Sequence, residues 1–416
     1  MKSAYFLAGV GLTLGAIACS DSAPSTSTSA AGAEAPSGAA GSAGSAVAGP
    51  ATSGAHTTSS AQAGNALGLA APSTSLVDVA TLDFTGDVRG NCDLRTNFAD
   101  DHACIPAPAP DQGFQIHIGP SNYDDPAEVA KFIMHPGEES SECFTFRTPN
   151  TENQVYQTES LSGRAGTHHI ITSVYSGELP TGGFGPCGGT GDAKAMQIGS
   201  LPGASKAYMP RSKVAPEYAQ VGRKVDAHSL AQADMHYFNF TDKDVLREVW
   251  INLYYPPKGT QITSYSDQIR GFGGLSWYSE PIPPGTDQVY KYECPIQGNG
   301  SIMNLLGHYH AHGKRFTAAI KRATGVSEKV FEMYNYLDPA TFDYNSVTMN
   351  PAFSDVAAGA VSGVLNVQQG DILQWECHII NDSNAALSYT NEVKTGEMCN
   401  LWGYSVGIQP IQCDIF

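Results

Sequence analysis

The chain has 416 residues and a formal net charge of −17 at pH 7. Only 15% of its residues are charged, whereas glycine and proline number 44 and 25, which is typical of a loop-rich β protein and not of a helical bundle. Because an acidic surface repels phosphate groups, we expect no nucleic-acid partner.

The first residues resemble a bacterial lipoprotein signal. Lys2 supplies a positive charge, the apolar segment Phe6–Ile17 is too short to span a bilayer, and Ala16-Ile17-Ala18-Cys19 resembles a lipobox. We therefore expect a signal peptide over 1–19 and a lipid on Cys19 that anchors an exported protein in the periplasm or at the cell surface. Cleavage without lipidation is the alternative. Residues 20–75 are mostly Ser, Ala, Gly, Thr and Pro, which predicts a disordered linker.

Eight further cysteines indicate an oxidising compartment. They are Cys92, Cys104, Cys143, Cys187, Cys294, Cys377, Cys399 and Cys413. An even number in an exported chain, without a C-x-x-C pair, predicts four disulfide bonds rather than a structural zinc site. The sequence alone leaves their pairing open.

Most of the secondary-structure signal is for short strands between turns. The clearest predicted strands are Gly113–Ile118, His169–Tyr175, Glu248–Tyr255, Met303–Ala311 and Ile372–Ile380. Their spacing predicts an all-β protein with two tandem antiparallel β-sandwiches. The Pro/Gly-rich segment at 256–261 marks the boundary, so we expect an N-terminal domain over 76–260 and a C-terminal domain over 261–416.

The histidines concentrate in three segments, which contain His168 and His169, then His236, and then His308, His310 and His312. His308, His310 and His312 alternate, and alternate residues of a strand face one side, so two or three imidazoles could bind a metal ion. An exposed polar face is the alternative. Neighbouring residues face opposite sides, so His168 and His169 could share an ion only if the backbone bulges or if their rings use different nitrogens. Otherwise one of the pair is buried and the other exposed.

Met398 and His236 complete the set of candidate ligands. A thioether together with imidazoles suits copper, Cu(I) above all, although a single methionine is more often part of a core. We expect the neighbouring Glu397 to be a surface charge. Asp234, two residues before His236, could orient that imidazole or simply face solvent.

Taken in order, these segments resemble the copper type II, ascorbate-dependent monooxygenases, the family of peptidylglycine α-hydroxylating monooxygenase and dopamine β-monooxygenase. The matching segments, over residues 115–416, are His168-His169, Met235-His236-Tyr237, Ile282-Pro283-Pro284-Gly285, the run from His308 to Lys314, Gly370-Asp371-Ile372-Leu373 and Glu397-Met398-Cys399-Asn400-Leu401. We find no nucleophile-elbow, Walker or dinucleotide-binding motif that indicates another chemistry.

The resemblance implies two jelly-roll-like sandwiches that each hold one copper ion and face each other across a solvent-filled cleft. It assigns His168, His169 and His236 to an electron-transfer copper. It assigns His308, His310 and Met398 to the copper that activates O₂, and His312 is left out. The implied reaction is the hydroxylation of a substrate C–H bond with O₂ and an ascorbate-type reductant. We expect two copper ions per chain and a monomer.

The resemblance also implies three of the disulfide bonds. They are Cys294–Cys413, Cys377–Cys399 and Cys143–Cys187, and Cys92 and Cys104 then remain to pair with each other.

The substrate-binding positions differ from those of the peptide-amidating members. Leu306 occupies the place of an arginine that binds the substrate carboxylate, and Trp402 and Ser141 replace tyrosines, while Asn400 is retained. Leucine cannot bind a carboxylate, so a glycine-extended peptide is disfavoured. Leu306 and Trp402 favour a more apolar or aromatic small organic substrate.

A copper-binding protein that stores or delivers the metal without hydroxylating a substrate is the alternative function. Two ligand sets that face one cleft favour catalysis, because storage requires neither an electron-transfer site nor a thioether ligand. Ascorbate-dependent O₂ consumption that an organic substrate stimulates would separate the two functions.

Overall fold

The structure is a computed structural model that describes residues 92 and 94–415, apart from 165, 176–177, 189–196, 203–207, 210–213, 215, 335, 337–340 and 344–364. The predicted signal peptide, Cys19 and the linker over 20–75 lie outside the described residues. In the part that is described, no helix is long and apolar enough to cross a membrane.

The fold is all-β, as predicted. One α-helix, α1 (Pro126–Val129), and the 3₁₀ helices Asp101–Ala103, Ala130–Phe132, Pro216–Tyr218 and Leu275–Tyr278 are short. The strands of the N-terminal half are β1 (Gly113–Ile118), β2 (Ile133–Met134), β3 (Glu139–Ser140), β4 (Cys143–Arg147), β5 (Gln154–Tyr156), β6 (Thr158–Gly163), β7 (Thr167–Tyr175), β8 (Gly183–Gly185), β9 (Gln197–Pro202), β10 (Tyr208–Met209), β11 (Val221–Val225), β12 (Leu230–Phe238), β13 (Val245–Leu246) and β14 (Val249–Tyr254). Those of the C-terminal half are β15 (Ser264–Tyr265), β16 (Asp267–Gly273), β17 (Asp287–Pro295), β18 (Gly298–His308), β19 (Gly313–Lys321), β20 (Ser327–Met333), β21 (Thr341–Asp343), β22 (Leu365–Val367), β23 (Ile372–Ile380), β24 (Cys399–Ile408) and β25 (Ile411–Ile415).

Two sheets of the N-terminal half enclose one hydrophobic core. One sheet has the order β1-β14-β6-β10, and the other has the order β8-β4-β12-β7-β9 with β3 beside β12. Ile116 and Ile251 of the first sheet lie in the same buried cluster as Ile170 and Met235 of the second. The two sheets therefore pack face to face as an antiparallel sandwich.

The C-terminal half repeats this architecture. One sheet has the order β21-β18-β24-β16-β25 with β22 beside β18, and the other has the order β17-β23-β19-β20. Every second residue of β23 is buried, among them Trp375, whose Nε1 donates to the carbonyl of Cys399 at 2.9 Å. A Cβ on Gly271 of β16 would lie 2.7 Å from the Trp375 indole, so the close packing of the sheets requires glycine there.

A small junction connects the two sandwiches. β15 pairs in parallel with β11, and an apolar cluster includes Val221 from the N-terminal half and Met303 from the C-terminal half. The guanidinium of Arg223 on β11 lies over the ring of Tyr404 on β24, with its Cζ 3.6 Å from the ring centroid. These contacts place β11 against β18 and β24 of the C-terminal sandwich.

All four predicted disulfide bonds are present with the predicted pairing. They are Cys92–Cys104, Cys143–Cys187, Cys294–Cys413 and Cys377–Cys399. The last two join β17 to β25 and β23 to β24, so each ties together the two sheets of the C-terminal sandwich.

Candidate metal centre

Five histidines from both halves of the chain meet in one buried cluster. His168 and His169 belong to β7, His236 to β12 and His308 to the end of β18, and His310 follows two residues later. The ring centroid of His168 lies 5.1 Å from that of His236 and 4.9 Å from that of His308, and the centroids of His169 and His308 are 5.0 Å apart. All five side chains are almost inaccessible to solvent.

A β-bulge allows the adjacent pair to contribute two imidazoles. In the pairing of β7 with β12, His169 is opposite His236 but Tyr237 is opposite Thr167, so His168 is the extra residue. The bulge re-aims the side chain of His168, and the His168 and His169 ring centroids are 5.4 Å apart. Of the two arrangements that the sequence left open, the chain has the bulge.

The alternating histidines do not share one strand, which corrects the predicted strand Met303–Ala311. β18 ends at His308, so His310 and His312 lie in the loop that follows. His308 and His310 nevertheless approach closely, with their Nε2 atoms 3.2 Å apart. His312 donates from Nε2 to the carbonyl of Lys394 at 3.1 Å and has its Nδ1 3.3 Å from Asp382, so it makes contacts of its own.

Glu397 is buried and not a surface charge, contrary to expectation. Its Oε1 accepts hydrogen bonds from the backbone N–H groups of His310 at 2.5 Å and Met398 at 2.9 Å. Burial raises the pKa of Glu397 to about 8. The physical reason is local. His310, in the loop after β18, and Met398, just before β24, have N–H groups outside any strand, and the buried carboxyl group accepts from them.

Met398 lies beside this loop, immediately before β24. Its Sδ accepts from Nδ2 of Asn400 at 3.4 Å, and Oδ1 of Asn400 accepts from the Tyr389 hydroxyl at 3.0 Å. Asn400 is opposite His308 in the pairing of β18 with β24. Because β24 runs antiparallel to β18, Met398, two residues before Asn400, lies on the side of Asn400 toward His310.

Two carboxylates border the cluster. Oε1 of Glu139 on β3 lies 3.1 Å from Nε2 of His236 and accepts from the backbone N–H of Val393 at 2.8 Å. Oδ2 of Asp234 lies 3.4 Å from Nε2 of His169, and among the described residues no hydrogen bond joins Asp234 to His236, the partner that its spacing had allowed. The sequence gives no signal for Glu139, because it reaches His236 through strand pairing and is 97 positions away.

The buried imidazoles have nitrogens without hydrogen-bond partners among the described residues. These are both ring nitrogens of His168 and His169 and the Nδ1 atoms of His236 and His310. Burial, reinforced by the neighbouring imidazoles, lowers the pKa values of His168, His308 and His310, and it lowers the pKa of His236 to about 3. Neutral imidazoles offer lone pairs, and a metal ion would satisfy nitrogens whose burial is otherwise unfavourable.

Two groups of three histidines place their ligand atoms within 4.8 Å of one another. One group is His168, His169 and His308, and the other is His168, His236 and His310. Each group therefore contains histidines from both of the ligand sets that the resemblance assigns to separate copper ions. A third group contains Cys143 and Cys187, but their sulfurs form a disulfide bond and cannot bind metal as thiolates.

The solvent-filled cleft that the resemblance implies between the two ligand sets does not separate these imidazoles. Glu139 of the N-terminal half accepts from Val393 of the C-terminal half while it contacts His236. The same region of the C-terminal half holds Glu397, which bonds the His310 backbone. The contact between Glu139 and Val393 thus joins the two halves at the histidines.

A cavity of about 380 Å³ opens on one side of the cluster. His169, His308 and Met398 contribute to its wall, as do Asn400 and Trp402, the predicted substrate contacts. Leu306, the third predicted contact, is buried opposite Trp402 on β18 and is not among the described residues that line the cavity.

No family model and no curated protein matches the chain. Among solved structures, the major capsid protein P2 of bacteriophage PM2 is similar at 9% identity, with 68% of this chain and 99% of that chain covered and a TM-score of 0.25. PNGase F, a glycosylasparaginase from Flavobacterium meningosepticum, is similar at 10% identity, with 72% and 98% covered and a TM-score of 0.27. Broad bean stain virus matches at 8% identity, with 82% and 97% covered and a TM-score of 0.28. Likenesses at this level do not identify a function.

Proposed function

We propose that this chain is a copper-dependent monooxygenase that hydroxylates a C–H bond of a small organic substrate with O₂ and an ascorbate-type reductant. The observation that carries the proposal is the cluster of five buried histidines. Four of them have nitrogens without partners among the described residues, and the cluster borders a cavity of about 380 Å³ that His169 and His308 help to line. The resemblance in motif order, from His168 to Asn400, supports the same function.

The donor set fits copper. Neutral imidazoles bind copper in both of its common oxidation states, and a thioether such as that of Met398 favours Cu(I). No free thiolate is available in the cluster, because the cysteines of the described residues are all in disulfide bonds. Copper, when bound, would supply one-electron chemistry and the activation of O₂.

The protein contributes fixed positions for the candidate ligands. The carboxyl group of Glu397 accepts hydrogen bonds from the backbone N–H groups of His310 and Met398, so one side chain positions two candidate ligands. Asn400 restrains the thioether and is itself restrained by Tyr389. Side chains held in this way are preorganised, which lowers the cost of binding a metal ion in a fixed geometry.

We further propose that the protein is exported and held at a membrane through a lipid on Cys19. The four disulfide bonds support this location, because such bonds persist in oxidising compartments.

Copper content and O₂ consumption test the function together. We expect the protein to bind about two copper ions per chain and the double variant His308→Ala, Met398→Ala to bind fewer. Because both side chains are buried, the variant should also lose stability, and circular dichroism checks that it is folded when its copper content is measured. His378→Ala is the control, because His378 is a histidine outside the cluster that pairs with Asp287. We also expect ascorbate-dependent O₂ consumption that an organic substrate stimulates.

Copper binding without any stimulated O₂ consumption would favour the storage or delivery function instead. A protein that binds no copper, or a double variant with unchanged copper content, would contradict both functions.

A further inference from the structure

The cavity beside the histidines contains a cation that the proposed reaction does not use. Arg270 on β16 is the only arginine or lysine among the described residues that line this cavity, and it is half-buried. Along β16 the side chains of Gln268, Arg270 and Phe272 line the cavity, whereas the alternate positions Ile269 and Gly271 are buried. The pleat of the strand therefore directs the guanidinium into the cavity.

Arg270 has a defined position relative to the metal centre. In the pairing of β18, β24 and β16, His308, Asn400 and Phe272 lie in one row, and Leu306, Trp402 and Arg270 lie in the next. Strand spacing and rise place the Cα of Arg270 roughly 12 Å from that of His308. Both side chains line the same cavity, so one small molecule could contact both.

Aromatic side chains occupy the space between these two ends. The ring centroids of Trp402 and His308 are 5.3 Å apart, and those of Trp402 and Phe272 are 6.1 Å apart at nearly right angles. The only carboxylate among the described lining residues is Asp234, which lies on β12 beside His169. The cavity thus has imidazoles and a carboxylate at one end, aromatic walls, and a guanidinium on β16.

We infer that Arg270 binds the carboxylate of a small aromatic or apolar organic acid, whose apolar body lies against Phe272 and Trp402. A guanidinium pairs with a carboxylate through two parallel hydrogen bonds, and the aromatic walls match an apolar body. That this acid is the substrate rests on the proposed function, whereas the binding site itself does not. Leu306 argues against a carboxylate at its own position but not against one at Arg270, two strands away.

Binding of a matched pair of probes tests this site. We would titrate the copper-loaded protein with 3-phenylpropanoate and with its neutral primary amide, using calorimetry. The acid should bind about 10-fold more tightly than the amide, because only the acid carries the charge that a guanidinium recognises. Added salt should weaken binding of the acid and leave that of the amide nearly unchanged.

Arg270→Gln should abolish the preference for the acid, and Arg270→Lys should retain part of it, since lysine keeps the charge but not the paired geometry. Arg147→Gln is the control, because Arg147 is an exposed arginine of the other sandwich that pairs with Glu178. It should keep the full preference. Any preference that remains in Arg270→Gln measures direct binding of the carboxylate to copper.

Equal binding of acid and amide, no binding of either, or an unchanged preference in Arg270→Gln would overturn the inference, whatever the copper content. The salt dependence of the unsubstituted protein decides the matter if the variants fail to fold. A protein that binds the acid through Arg270 but takes up no copper would leave the anion site standing and refute the proposed function. Copper uptake without a preference for the acid would refute the anion site and leave the proposed function standing.

Discussion

At the scale of single residues, the imidazoles of the candidate metal centre are kept neutral by their surroundings. Burial lowers the pKa values of His168, His236, His308 and His310 in the folded protein, whereas in the unfolded chain these side chains have the ordinary value near 6.5. The folded state therefore binds fewer protons than the unfolded state as the pH falls, and acid destabilises it.

We expect the metal-free protein to lose stability as the pH falls below about 6.5, by about 1.4 kcal/mol per pH unit for each of these histidines. The stability is fully present above the unfolded pKa and is lost as the pH falls toward the folded pKa, which for His236 is about 3. Urea unfolding at pH 5 and pH 7.5 measures the effect. His236→Gln should reduce the dependence by the share of one histidine, and an unchanged dependence would contradict the explanation.

We expect removal of the Glu397 side chain to destabilise the loop that carries His310. Glu397→Ala leaves the buried N–H groups of His310 and Met398 without their acceptor, and we expect a loss of about 2–4 kcal/mol in the free energy of unfolding. Glu397→Gln should lose less, because its amide oxygen can still accept. Urea denaturation provides the measurement, with Glu392→Ala, at an exposed position of the segment between β23 and β24 that also contains Glu397, as the control. Equal losses for Glu392→Ala and Glu397→Ala would argue against this role.

At the scale of elements, the bulge in β7 depends on the turn that precedes it. Gly166 has φ of 102°, a conformation that side chains other than glycine rarely adopt, and its carbonyl accepts from Phe238 N–H at 2.7 Å. A Cβ at this position would lie 2.6 Å from the carbonyl oxygen of Phe238. The turn thus fixes where the pairing with β12 resumes and so which residue of β7 is extra.

Gly166→Ala should therefore disturb both the backbone and the first two histidines. We expect it to cost about 1 kcal/mol more than Gly137→Ala, which has φ of 81° but open space around the added methyl group. It should also lower the copper content, whereas Gly137→Ala should not. Urea unfolding and metal analysis of the two variants give the comparison, and equal behaviour would show that the turn does not control the bulge.

Much of the strand content follows from local patterns. The strand Gly113–Ile118 has the predicted bounds because buried Ile116 and Ile118 alternate with exposed His117. The end of β18 was not predictable, since the pattern of alternating histidines continues past His308 while backbone pairing stops there. The alternation of residue types predicts which side of a strand each side chain faces. The end of a strand depends instead on where backbone pairing with the neighbouring strands stops.

The residue types of the candidate site could be predicted from the sequence, but the short distances between its histidines could not. The positions of His168, His236 and Met398 along the chain indicated a metal site, and the bulge was one of two possibilities that the adjacent pair allowed. Glu139 and Glu397 were missed because their roles depend on loops and strands that are distant in sequence or irregular. Arg270 was missed because its row is defined only by the register of three strands.

At the scale of the whole molecule, the histidine cluster is built by both sandwiches, and a separate contact joins the two halves elsewhere. Arg223 is buried over the ring of Tyr404 and lies 3.4 Å from Glu159. Removal of one partner from a buried pair leaves the other charge uncompensated, so such contacts are sensitive to substitution.

We expect Arg223→Ala to lower the free energy of unfolding by about 3 kcal/mol and to hasten tryptic cleavage after Lys258, which is exposed in the segment between the sandwiches. Arg147→Ala, which breaks an exposed ion pair with Glu178, should change both by little. Denaturation and the rate of proteolysis are the measurements. If cleavage of Arg223→Ala is no faster than that of the control, Arg223 does not hold the junction together.

The pairing of β16 with β25 has a consequence for the order in which the two sandwiches can fold. The N-terminal sandwich uses strands between Gly113 and Tyr254, so a growing chain can complete it early. β16 must wait for β25, and Cys294 must wait for Cys413, which lies 119 positions later. Until β25 arrives, one sandwich can be finished while the other has an open edge and a free thiol. A chain that has only partly reached an oxidising compartment is therefore the species most exposed to mispairing.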